Sequence, residues 1–228
     1  MRSLKAVLYE LMVAYFMQEK LGMIITGYSP PAKNEKTVDW LFEKDKQKFY
    51  VEVKTPWEER REGTFFYSQY QKLFKTIKDA YKQRPNSDTP YIICITDDLN
   101  LFPAIYCDEI IDVLYGKRAL VFPEFNGRIL GKPRDEIVDR RSIFQRNIRR
   151  SLSGVAVLSY MPCCDPSKLR DVGKYYFVLF HNPFCNEKCR INPKIFKPFR
   201  QYIPNFAKGE MMWIGNKNPI DAEDEKNR

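Results

Sequence analysis

The sequence predicts an α/β protein built on a central mixed β-sheet flanked by α-helices. Three observations predict it. Apolar spacing switches between a helical and a strand period in the order α, β, β, α, β through the first half of the chain. Thr89-Pro90-Tyr91-Ile92-Ile93-Cys94-Ile95-Thr96 is a near-continuous apolar run of the kind buried on both faces of a mixed sheet. At 228 residues, 44% hydrophobic and 14% aromatic, the chain has enough apolar material for a full core.

Residues 4–20 carry the first helical period, with Leu4, Val7, Leu8, Leu11 and Tyr15 on one apolar stripe. Glu10 stands at the border of that stripe, between Val7 and Ala14, and reads as half-buried. Two strands follow, Thr37-Val38-Asp39-Trp40-Leu41-Phe42 and Phe49-Tyr50-Val51-Glu52-Val53-Lys54. The polar stretch Glu43 to Lys48 reads as a tight connection that turns the second strand back antiparallel to the first. Residues 65–84 form a stronger helix, with Phe66, Tyr70, Leu73, Phe74, Ile77, Ala80 and Tyr81 inward and Gln71, Lys75, Lys78 and Lys82 outward.

After a turn at Arg84 to Asp88 comes the Thr89 to Thr96 strand. Residues 106–115 read as helix, 119–122 as a short strand, and Glu124 to Arg134 as loop. Asp135 to Ser151 reads as a helix carrying Arg140, Arg141, Arg146, Arg149 and Arg150 around Ile143, Phe144 and Ile148. Val155 to Tyr160 and Tyr175 to Phe180 are two further apolar strands. Asn192 to Pro204 is rich in proline and aromatics without a clear period, and the chain from Asn216 is polar. No repeat or linker divides the chain. It reads as one domain over 1–215, with a core about 1–100, an elaboration over 101–215, and a polar tail over 216–228.

Chemistry concentrates in the strand pair. Strand side chains alternate faces, so Glu52 and Lys54 point one way while Phe49, Val51 and Val53 point the other. The antiparallel return brings Asp39 near Glu52. Two carboxylates suit a hard cation such as Mg²⁺, with Mn²⁺ as a substitute, and the backbone carbonyl of Val53 would add a third oxygen. A cation there would polarise a phosphodiester and lower the pKa of water. Lys54 would orient or deprotonate that water, or stabilise charge in the transition state. The plainer alternative is a solvated Glu-x-Lys ion pair, worth about 0 to 1 kcal/mol.

At these residues the chain resembles the PD-(D/E)XK nuclease superfamily, whose signature is an Asp on one strand and (Asp/Glu)-x-Lys on its neighbour. Here those are Asp39 and Glu52-Val53-Lys54. Members often carry an acidic residue on a preceding helix, a slot that Glu10 fills. They often have a Gln or Lys on the following helix, which falls among Gln69, Gln71 and Lys72, with Gln69 nearest the sheet. The residue before Asp39 is Val38 where the signature has Pro. The resemblance implies a restriction-endonuclease-like fold and Mg²⁺-dependent hydrolysis of phosphodiesters, in DNA in preference to RNA. It implies Asp39, Glu52 and Val53 as metal ligands, Lys54 beside the water, Glu10 supporting the metal or its waters, and Gln69 placing Lys54 or substrate. Two alternatives stand beside it: a non-catalytic nucleic-acid-binding module acting as a subunit of a larger assembly, and an interaction protein that docks a partner through its aromatic second half, Trp213 included.

Net charge agrees with a polyanionic partner. Lys and Arg outnumber Asp and Glu by 38 to 29, a formal charge of +9. Lys72, Lys75, Lys78 and Lys82 on one helix, and the five arginines between 140 and 150, are candidate phosphate contacts, Arg being suited to bidentate pairing. The plainer alternative for each is a solvated helix face. No apolar stretch reaches the roughly 18 to 20 residues that span a bilayer, and Met1-Arg2 opens no signal peptide, so a cytoplasmic protein without a membrane partner is expected. The cysteines at 94, 107, 163, 164, 185 and 189 lack the spacing of a disulfide scaffold and read as free thiols. His181, Cys185 and Cys189, with Cys163 and Cys164 upstream, match no zinc-knuckle spacing. Restriction-type enzymes often act as dimers, so a homodimer is one expectation, although no symmetric surface can be read from the residues.

Overall fold

The computed structural model describes residues 4–31, 37–55, 69–96, 107–121, 124–125, 128–129, 134–139, 142–144, 148–161, 174–205 and 210–214. Its centre is an eight-stranded mixed sheet. In chain order the elements are α1 (Leu4–Tyr15), β1 (Ile24–Tyr28), β2 (Trp40–Lys44), β3 (Gln47–Lys54), α2 (Gln69–Tyr81), β4 (Tyr91–Thr96) and α3 (Cys107–Tyr115). There follow β5 (Lys117–Val121), β6 (Glu124–Phe125), β7 (Arg128–Ile129), β8 (Arg134–Asp139), β9 (Gly154–Met161), β10 (Lys174–His181), β11 (Arg200–Asn205) and β12 (Glu210–Ile214). The sheet order is β1-β2-β3-β4-β9-β10-β11-β12, and β5-β8 and β6-β7 form separate two-stranded ribbons.

The predicted hairpin is present. Asp45 and Lys46 both take positive φ, 50° and 62°, the backbone of a two-residue turn that matches strand twist. It sets β2 antiparallel to β3 in a register that faces Trp40 with Val51 and Lys44 with Gln47. β3 then pairs parallel with β4, and β4 parallel with β9, connections that need crossover segments such as α2.

Both sheet faces are covered, and strand alternation sorts residues between them. Phe49, Val51, Val53, Ile92, Cys94, Ala156 and Leu158 join the core under α1. Ile93, Ile95, Val155 and Val157 join the core under α2 and α3, where Leu73, Ile77, Ile110 and Leu114 pack. Every residue of β4 is buried, as its unbroken apolar run requires. Along α2, Leu73, Ile77 and Ala80 are buried, Phe74 and Tyr81 pack at the margin, and Gln71, Lys75, Lys78 and Lys82 are exposed. This is the predicted division; Phe66 and the side chain of Tyr70 lie outside the described residues.

Four expectations are corrected. The α1 stripe of Leu4, Leu8, Leu11 and Tyr15 is the exposed face, and the core takes Tyr9, Glu10, Val13 and Ala14. The helix is apolar on both sides, so periodicity cannot choose between them. It also ends early: residues 16–20 form a wider π-helical turn that buries Phe16 and Met17, and Gly22, at φ 64°, closes it by donating to the Gln18 carbonyl at 3.0 Å. The predicted 135–151 helix is absent from its described residues. β8 instead pairs with β5, and Arg149 has φ 59°, which no right-handed helix accommodates. The predicted 124–134 loop contains the β6-β7 ribbon. Finally, β1, β11 and β12 complete the sheet without having been expected; β11 runs parallel to β10, and its Pro204 lies past the three residues that face β10.

Candidate active site

The site forms where β2 and β3 stop pairing. Asp39 lies immediately before β2, at a bend, and its backbone carbonyl accepts from Ser29 N at 3.0 Å. Val53 has no strand partner on that edge. Its N–H donates to Asp39 Oδ2 at 2.7 Å, so the carboxylate substitutes for the missing ladder and is held there, buried. The N–H and C=O of one strand residue point to the same edge. The Val53 carbonyl therefore faces the same edge as Asp39.

Glu52 and Lys54 share a face, as alternation requires, and the Lys54 ammonium donates to Glu52 Oε1. Glu52 is 1% exposed, and its second oxygen, Oε2, is buried without a hydrogen-bond partner. Burial pushes the Glu52 carboxyl from 4.5 to about 7; Lys54 opposes the rise, and neighbouring Asp39 adds to it. An acceptor left buried and unsatisfied costs about 1–3 kcal/mol, so this oxygen marks where the fold tolerates instability.

A cavity of about 340 Å³ opens at this point, lined by Ala6, Glu10, Asp39, Glu52, Val53, Lys54, Thr55 and Gln83. Glu10 enters from the inner face of α1 and is itself buried. Thr55 Oγ1 and Thr96 Oγ1 lie 2.6 Å apart and tie the ends of β3 and β4 together beside the cavity. Asp39, Glu52, Lys54, Val53 and Glu10, all picked out in the sequence, thus line one space. Gln69 is the first residue of α2, and its side chain lies outside the described residues. The glutamine that lines the cavity is Gln83, just past the other end of α2, where its N–H caps the helix on the Ala80 carbonyl at 2.9 Å. Ala6, Thr55 and Gln83 were not anticipated. A polar residue just beyond an amphipathic helix was the available signal for Gln83.

The donor set fits a hard cation: two carboxylates, the number Mg²⁺ ordinarily takes from a protein, with an open Glu52 oxygen and a backbone carbonyl at hand. Among the described residues no group of three or more His, Cys, Asp or Glu is close enough together to hold a metal ion. Glu10 accordingly lines the cavity without completing a carboxylate cluster. The histidine and cysteines of the second half gather no metal site among the described residues either. His181 is buried with its Nε2 donating to Gln201 Oε1 at 2.9 Å, and Cys94, Cys185 and Cys189 are free buried thiols. Cys163 and Cys164 lie outside the described residues.

The basic candidates divide. Lys75 and Lys78 are exposed on α2, and Lys72 is partly exposed beside them. Lys82 is held by Asp79 at 2.7 Å, and that pairing lowers the Asp79 pKa. Arg149 is turned inward, its Nη1 donating to the Ile143 carbonyl at 3.1 Å, and partial burial lowers its pKa. Arg150 is exposed, while Arg140, Arg141 and Arg146 lie outside the described residues.

No family model, curated protein or solved structure matches the chain. Among the described residues, no helix is long and apolar enough to cross a membrane. The fold shown is an α/β fold with a mixed sheet flanked by helices.

Proposed function

We propose that the chain is a Mg²⁺-dependent nuclease of the PD-(D/E)XK type, hydrolysing phosphodiester bonds in DNA in preference to RNA. The observation that carries this reading is the convergence of Asp39, Glu52, the Val53 backbone and Lys54 on one cavity, with a buried Glu52 oxygen left without a partner. The order α1, β2, β3, α2, β4 follows the α, β, β, α, β order that the resemblance implies, with β1 added after α1, and supports the reading further.

Asp39, Glu52 and the Val53 carbonyl would hold the cation, which when bound supplies Lewis acidity toward the phosphate and a lowered pKa for water. The Val53 N–H fixes Asp39 in place before any ligand arrives, which lowers the cost of organising the site. Lys54, now donating to Glu52, would turn to the water or to the phosphate oxygen as Glu52 takes up the cation. Glu10 and Gln83, both in the lining of the cavity, would orient water and substrate. Lys75 and Lys78 would hold the backbone of the nucleic acid.

A second reading, a binding module of the same fold without turnover, draws on the two-carboxylate donor set and on the Lys54 ammonium that now occupies Glu52. Incubation of supercoiled, linear and single-stranded DNA with Mg²⁺ or Mn²⁺ separates the two. Cleavage by the native chain that is abolished by EDTA, Asp39→Ala and Lys54→Ala supports the nuclease. Binding without cleavage in every condition favours the module.

A further inference from the structure

The outer face of α1 has the character of a buried one. Leu4, Leu8, Leu11 and Tyr15 are between 52% and 76% exposed, and the only charged residues of the helix, Lys5 and Glu10, lie off that stripe. A helix that is apolar all round is ordinarily covered on both sides. Exposed edge strands are ordinarily blunted by charge. β1, which follows α1 in the chain and forms the sheet edge, carries no charge in Ile24–Tyr28, and its Ile24 is 68% and Tyr28 59% exposed.

We infer that α1 docks against α1 of a second copy of this chain, forming an antiparallel helix pair about a two-fold axis. The steps along the stripe are four, three and four residues, the spacing of an a/d seam that packs against another such seam. The pattern is its own complement when reversed. With the axis between Leu8 and Leu11, Leu8 meets Leu11 of the partner subunit and Leu4 meets Tyr15 of the partner subunit. A two-fold interface requires this reciprocity. The stripe carries no charge, so two chains of net charge +9 meet there without like charges facing each other. The four side chains leave on the order of 450 Å² in water, more than half of the roughly 800 Å² per partner of an ordinary interface. Beside the seam Ala14 is buried in its own core, so the pairing is that of a weak dimer formed at high concentration. The inner face of the same helix carries Glu10 and Ala6 into the cavity, so the pairing would brace one wall of each site.

This inference does not depend on the nuclease reading, and its test reads mass rather than activity. Sedimentation of the full chain at about 100 µM is expected to give twice the 27.1 kDa chain mass. Leu8→Glu/Leu11→Glu is expected to weaken association at least about a hundredfold, the loss typical of central interface anchors, with far-UV circular dichroism unchanged because both residues face outward. Register is tested by mixing: Leu8→Lys and Leu11→Glu chains, each monomeric alone, are expected to dimerise together. A native chain that stays monomeric, a doubly substituted chain that stays dimeric, or single variants that fail to recover on mixing would overturn the proposal.

Discussion

Replacing Glu52 by Gln should stabilise the protein at neutral pH. The carboxyl is buried and held at about 7 against an ordinary 4.5, and its Oε2 has no hydrogen-bond partner. Between those two pH values the folded chain binds more protons than the unfolded one, so stability falls as pH rises through that window. At about 1.4 kcal/mol for each pKa unit, ionised Glu52 costs at most about 3–4 kcal/mol. Gln carries no charge, keeps an oxygen for the Lys54 ammonium, and brings an N–H₂ group that needs its own acceptor, so the expected net gain is about 2 kcal/mol. Urea unfolding of native and variant protein from pH 5 to pH 8 measures it. The two curves should nearly coincide at pH 5 and separate by about 2 kcal/mol at pH 8, the variant being the more stable. In excess Mg²⁺ the gap should narrow, because a bound cation stabilises only the carboxylate form. A variant that is less stable at pH 8, or a difference independent of pH, would refute the reasoning.

Three further outcomes are expected. His181 is buried and neutral, burial lowering its pKa below 6.5 despite the Gln201 hydrogen bond. Its contribution is present above 6.5 and is lost as pH falls from 6.5 toward the depressed folded value, so His181→Gln should flatten the acid side of the stability profile relative to native protein. Gly154 opens β9 where a Cβ would stand 2.8 Å from the Phe180 carbonyl oxygen, and Gly154→Ala should lower stability by about 1–3 kcal/mol in thermal or urea unfolding. Lys75→Glu/Lys78→Glu should weaken DNA binding at low salt and reduce the slope of log affinity against log salt by about 1 for each lysine–phosphate pair removed, in fluorescence anisotropy titrations.

The strand pair was legible because its signals were local. Period-two alternation at 49–54, a polar turn, and an unbroken apolar β4 each specify backbone and facing together. Asp39, Glu52 and Lys54 could therefore be brought together from strand spacing, whereas Glu10 entered the site through the resemblance and the Val53 carbonyl through its position between the two functional side chains. What failed needed tertiary information. α1 offers leucines on one side and Tyr9, Val13 and Ala14 on the other, and only the packing against β3 decides which is core. At 134–139, Arg134-Asp135-Glu136-Ile137-Val138-Asp139 fits a helix as well as a strand until β5 supplies its ladder. β11 was obscured by Pro204, harmless where it lies past the β10 pairing. Gln83 escaped because the expected glutamine was sought in the first turn of α2, whereas the cavity extends to a residue beyond its last.

The central claim is that Asp39 and Glu52 form the seat of a divalent cation. Titration of the protein with Mn²⁺, followed by calorimetry at about pH 7.5, tests it most directly. Native protein should bind one ion per chain, Lys54→Ala should bind at least as tightly because the competing ammonium is gone, and Asp39→Ala should weaken binding at least about tenfold. Absence of Mn²⁺ binding by the native chain, or binding that Asp39→Ala leaves intact, would contradict the account.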